Sequence, residues 1–142
     1  MITEKIKKLE TKHKLISFIS IIFVTIIITR ASLGIKDVDL IIKGFELHHF
    51  YYGITLLILT IILLLFTKKH YAIYLTLAAI SIGLILDEFL YVSNGFGNYE
   101  IYVSTFPSAT ILAIIISIIT IFIFRISKLP FNAIGKNFKV KI

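Results

Sequence analysis

Four runs of about twenty residues, almost bare of charge, divide the chain: Leu15 to about Ile35, Leu47 to Thr67, Ala72 to Val92, and Ser108 to Ile126. At about 1.5 Å of rise per residue, each is long enough as a helix to cross the ~30 Å hydrocarbon core of a bilayer. Lipid offers no partner to an open backbone N–H, so such a run folds as a helix even when it is rich in β-branched isoleucine. A mean hydropathy of +0.96 over 142 residues, 58% of them hydrophobic, leaves little material for a soluble second domain. The expected fold is an all-α membrane protein: one domain, residues 1–142, with four transmembrane helices, multi-pass in the cell membrane.

Four spans put both termini on one side. That side carries Lys5, Lys7, Lys8, Lys12, Lys14, Lys68, Lys69, Arg125, Lys128, Lys136, Lys139 and Lys141, whereas the other holds Arg30, Lys36 and Lys43. Twelve against three predicts cytoplasmic N- and C-termini. The acids fall the other way, with Glu4 and Glu10 inside and Asp37, Asp39, Glu46, Asp87, Glu88 and Glu100 at or near the outer surface. The formal charge of +7 therefore reads as topology. The basic tails 1–14 and 127–142 are expected to meet the bilayer's anionic lipids, and neither forms a nucleic-acid module. A cleaved signal peptide over residues 1–31 is disfavoured, because the apolar run is long and no small-x-small site follows it. Nothing in the sequence identifies a protein partner.

The link "TKKHY" between spans two and three is short enough to force an antiparallel hairpin. With equal rise on both helices, paired positions then sum to about 138. This ruler sets Tyr51 beside Asp87 and His49 near Phe89. Arg30 falls about five residues below the outer end of span one, the depth Asp87 has below Val92. Gly53 and Gly83 share a similar depth, and Ala79 with Gly83 makes a small-xxx-small pair that permits close backbones. The first outer link contains an apolar "LII" expected to lie in the interface. The second, with Asn94-Gly95 and Gly97-Asn98 as turn signals, ends at Pro107, which is placed to open the last helix.

Ionisable groups inside a membrane are costly, ~2.5 to 3.5 kcal/mol for an acid at mid-helix, so Asp87 and Glu88 need partners. They diverge by about 100° on a helix, which calls for at least two. Three readings follow. In the first, His48, His49, Asp87 and Glu46 hold a divalent metal such as zinc, Glu88 is the general base and Arg30 holds an anionic group, for metal-assisted hydrolysis of a lipid-like substrate. With no cysteine in the chain, any metal has nitrogen and oxygen ligands. Adjacent histidines on a helix also diverge by about 100°, which suits one ligand better than two. In the second, the charges are a structural ion-pair network in a non-enzymatic accessory membrane subunit. The third, a proton or ion pathway, has only Ser17, Ser20, Thr25, Thr60, Thr76, Ser117 and Thr120 to continue it inward.

Haem is not expected, since His70 lies at the other end of the bilayer from His48, and no nucleotide or flavin signature appears. Tyr51, Tyr52, Tyr91, Tyr99 and Tyr102 read mostly as an interfacial aromatic belt.

Two stretches, "FELHHFYYGITLLIL" and "SIGLILDEFLYVSNGFGNYEIY", resemble a family of small bacterial and archaeal integral membrane proteins. In that family an H-x-H-H-x-x-x-G start of one span is followed by an L-D-E-F near the end of the next. The resemblance covers about residues 44 to 110 and implies a shared site at His48, His49, Gly53, Asp87, Glu88 and Phe89, without an established activity. The family's first histidine is Glu46 here, which puts a tri-histidine set in doubt while keeping an oxygen donor.

Overall fold

The computed structural model describes residues 2–33, 40–42, 45–67, 70–95 and 99–126, with side chains over 13–32, 48–67, 70–95 and 100–126. The Lys68-Lys69 link, Lys36, Lys43, Asp37, Asp39, Gly97-Asn98 and the tail 127–142 lie outside the described residues, as do the side chains of Glu46 and Tyr99.

Among the described residues four helices are long and apolar enough to cross a membrane: His13–Ser32 within α1 (Ile2–Leu33), α2 (His49–Phe66), α3 (Tyr71–Ser93) and α5 (Phe106–Ile126). The protein is a multi-pass membrane protein, and the expected spans are all present with ends shifted by a few residues. Pro107 sits in the first turn of α5, where its missing N–H leaves no helical bond unmade. α1 runs without a break from the basic N-terminal segment into its span.

The outer links depart from expectation. The "LII" stretch is strand β1 (Leu40–Ile42), paired antiparallel with β2 (Phe45–Leu47), with Ile41 opposite Glu46. Pairing satisfies backbone groups that an isolated interfacial stretch would have to leave to water. It also delays the start of α2 from Leu47 to His49, with His48 in an extended N-cap conformation (φ −71°, ψ 157°). The second link contains a six-residue helix, α4 (Tyr99–Ser104), before α5.

α3 is the central helix, packing against α1, α2, α4 and α5. In its span 39% of the residues are buried, against 11–17% for the others, which present most of their surface to lipid. Lipid tails are as apolar as leucine, so close packing rather than the hydrophobic effect must hold such helices together. Ile22, Ile26, Ala79, Leu86 and Ala113 form the buried centre.

The two glycines work on opposite sides of it. A Cβ on Gly53 would lie 2.9 Å from the Ser81 carbonyl oxygen and from Ile85 Cγ1, so this glycine seats α2 on α3. A Cβ on Gly83 would lie 2.7 Å from Thr25 Cβ and 3.0 Å from the Ile22 carbonyl oxygen, so this one seats α1. The depth match of the sequence holds, but it joins two crossings rather than one.

Most mid-membrane hydroxyls are satisfied within their own helices. Thr25, Thr60, Thr76, Ser117 and Thr120 each donate to the carbonyl four residues earlier, at 2.7 to 3.0 Å. Their hydroxyl hydrogens thus point along the helix backbone.

Candidate functional site

The polar residues meet at the outer end of the bundle, in two adjoining clusters built on consecutive residues of α3. Asp87 and Glu88 are fully or nearly fully buried and face different neighbours, as their helical divergence requires.

Asp87 faces α1 and the α4–α5 corner. Arg30, in the last turn of α1, donates from Nε to Asp87 Oδ1 at 2.5 Å and from Nη2 to the Asp87 carbonyl oxygen at 2.7 Å. It also donates from Nη1 to the Tyr102 carbonyl oxygen at 2.5 Å and from Nη2 to Thr105 Oγ1 at 3.2 Å. Four of the roughly five guanidinium N–H groups are thereby directed at protein acceptors. The guanidinium carbon stands 3.8 Å from the Tyr102 ring centroid, a close cation–π contact, and 5.7 Å from that of Phe106. The second Asp87 oxygen, Oδ2, accepts the Tyr102 hydroxyl at 2.5 Å. Burial pushes the Tyr102 phenol well above its usual range, and the charge and hydrogen bond of Asp87 push it further. Tyr102 therefore stays a proton donor at any physiological pH.

Glu88 faces the start of α2. Its Oε2 accepts the Phe50 backbone N–H at 2.6 Å, and its Oε1 lies 3.3 Å from His49 Nδ1 and 4.0 Å from His48 Nδ1. Both histidines approach one oxygen because His48 is extended and outside the helix, which removes the 100° divergence expected of helical neighbours. A carboxylate at a helix N-terminus also complements the macrodipole there. No side-chain cap comes from His48 itself, so the cap of α2 is supplied by another helix.

Aromatic rings join the two clusters. His48 packs edge-on against Tyr91 at 5.7 Å between centroids, and Tyr91 against Tyr102 at 5.4 Å. Both tyrosines are buried, at 7% and 5% exposure, and so are site residues rather than members of an interfacial belt. For Tyr91 the sequence holds a signal, since it follows Asp87 by four residues and shares its helix face. Thr105 and the Phe50 N–H had none.

Of the expected metal ligands, His48 and His49 come together at Glu88, Asp87 is engaged by Arg30 and Tyr102, and the Glu46 side chain lies outside the described residues. Among the described residues no group of three or more His, Asp or Glu side chains is arranged to hold a metal ion. The expected catalytic pair is also divided: Glu88 sits with the histidines, Arg30 with Asp87. A cavity of about 360 Å³ opens beside Arg30, lined by Tyr102, Val103, Phe106 and Pro107. No family model, curated protein or solved structure matches the chain.

Proposed function

We propose that the protein is a non-enzymatic structural or accessory membrane subunit with cytoplasmic termini, whose outer-end charges are an ion-pair network tying the helices together. One observation carries this reading. Each oxygen of Asp87 and Glu88 is within hydrogen-bond reach of a group from another helix: Arg30 of α1, Tyr102 of α4, and His49 and Phe50 of α2. Such a network holds four helices in one register where apolar packing against lipid-like surfaces discriminates poorly.

A double-replacement cycle tests it. Arg30→Met or Asp87→Leu alone is expected to cost about 3 to 5 kcal/mol of unfolding free energy in micelles, because each leaves a buried charge alone, while the pair together costs far less. Strictly additive losses would sink the reading. Reporter fusions at both ends test the topology, and an extracytoplasmic C-terminus would overturn it.

Metal-assisted hydrolysis of a lipid-like substrate is the second reading, supported by the approach of two imidazoles to Glu88 Oε1. In this reading His48 and His49 would be the nitrogen ligands of a divalent cation, Glu46, two residues before His48 on β2, an oxygen donor, and Glu88 the general base. A bound cation of this kind polarises a substrate oxygen or activates water. Arg30 would meet an anionic group in the adjoining cavity. Stoichiometric metal in protein purified without chelators, lost in His48→Ala and His49→Ala, would establish it over the structural reading.

A further inference from the structure

At the opposite end of the bundle, where the spans of α1 and α3 begin and α5 ends, two cavities flank the contact between α1 and α3. One, of about 470 Å³, is lined by Lys14, Phe18, Tyr71, Leu75 and, from α5, Ile123 and Phe124. The other, of about 330 Å³, has His13, Ser17 and Thr76 in its lining and shares Lys14, Phe18 and Leu75 with the first. Phe18 and Leu75 are thus a common wall between two largely apolar chambers, and Lys14 belongs to the rim of both.

Lys14 stands at the start of the α1 span and Tyr71 at the start of α3, so both occupy headgroup depth, with Lys14 Nζ 5.9 Å from the Tyr71 ring centroid. The neighbouring sequence at this end is strongly basic, with Lys8, Lys12, Lys68, Lys69 and Arg125. Each chamber falls within the ~300 to 1,000 Å³ typical of ligand sites.

From the paired apolar chambers under one shared cation, we infer that this end of the protein binds a single anionic diacyl phospholipid. One acyl chain lies on each side of the Phe18–Leu75 wall, and the phosphate rests on Lys14. A one-chain amphiphile would fill only half of the arrangement, and a zwitterionic headgroup brings no net negative charge to a strongly basic stretch of sequence. The seat is at the other membrane surface from the Asp87 and Glu88 clusters and does not depend on their role.

The full-length protein in neutral detergent tests this by native mass spectrometry and thermal shift, with phosphatidylglycerol, phosphatidylcholine of matched chains, lyso-phosphatidylglycerol and inorganic phosphate as separate probes. Phosphatidylglycerol is expected to bind one to one and raise Tm, with the other three markedly weaker. Lys14→Gln should weaken it about fivefold or more, whereas Arg125→Gln, exposed and outside both linings, should leave it within about twofold. Ile123→Trp, which fills the larger chamber without altering charge, should also weaken it. Binding of phosphatidylcholine or of the lyso-lipid equal to that of phosphatidylglycerol, or an equal shift with free phosphate, overturns the inference from wild-type protein alone. Equal losses in Lys14→Gln and Arg125→Gln overturn it as well, in favour of diffuse attraction to the basic surface.

Discussion

Glu88 of α3 caps α2: its Oε2 accepts the Phe50 backbone N–H at 2.6 Å, across the interface between two helices. Helix N-termini leave about four N–H groups without helical partners, and a membrane cannot supply them with water. The start of α2 is therefore conditional on α3 being in place.

The Glu88 contact predicts a graded response. Glu88→Gln keeps an oxygen that accepts the Phe50 N–H and should cost under about 1 kcal/mol. Glu88→Ala leaves a buried donor unmet and should cost about 1 to 3 kcal/mol. Unfolding in micelles measures both, and hydrogen exchange at residues 50–52 should rise only in the alanine variant. Identical losses would mean that charge, not the hydrogen bond, matters there.

Tyr102 predicts an alkaline limb. Its folded-state value is raised above the ordinary 10.0, so the native state holds its proton after the unfolded chain has released it. The associated stability is fully present below pH 10 and falls as pH rises from there towards the folded value. In Tyr102→Phe the fall of Tm above pH 10 should be shallower than in wild type, and the neutral-pH stability should drop by about 1 to 3 kcal/mol for the lost hydrogen bond to a charged group. Parallel alkaline limbs would refute the assignment.

Gly53 and Gly83 predict equal chemistry with separate consequences. Alanine at either brings a Cβ within 3.0 Å of the backbone or the stem of a facing residue, which should cost about 1 to 3 kcal/mol by overpacking. Cysteine cross-linking should detect displacement of α2 in Gly53→Ala and of α1 in Gly83→Ala. Movement of the same helix in both would contradict the two-sided packing of α3.

His70 predicts a stabilising change. It opens α3 in the left-handed region (φ 63°, ψ 31°), which is unfavourable for a residue with a Cβ. His70→Gly should therefore raise stability by up to about 1 kcal/mol, and a loss in thermal unfolding would show that its ring makes a compensating contact.

How much was legible beforehand depended on periodicity. The four spans follow from length and hydropathy, and the 138-sum ruler placed Glu88 within a residue or so of His49 and Phe50 because a short link fixes helical register. The pairing of Arg30 with Asp87 followed from depth and charge. What escaped was set outside the regular helices. The strand pairing of Leu40–Leu47 shifted the start of α2 and turned His48 out of helical phase, and α4 carried Tyr102 inward from a stretch that reads as a loop. Hydropathy predicts neither, since the first is a cross-strand backbone pairing and the second a helix of six residues.

The Arg30–Asp87 pair also imposes an order on biosynthesis. Arg30 precedes its counter-ion by 57 residues. At about 5 to 20 residues per second of synthesis, the ribosome needs roughly 3 to 11 s to make that intervening chain. Throughout that interval the first span must hold a guanidinium near the membrane surface without its acid. Its place in the last turn of α1, within reach of the headgroups, is what makes the wait tolerable.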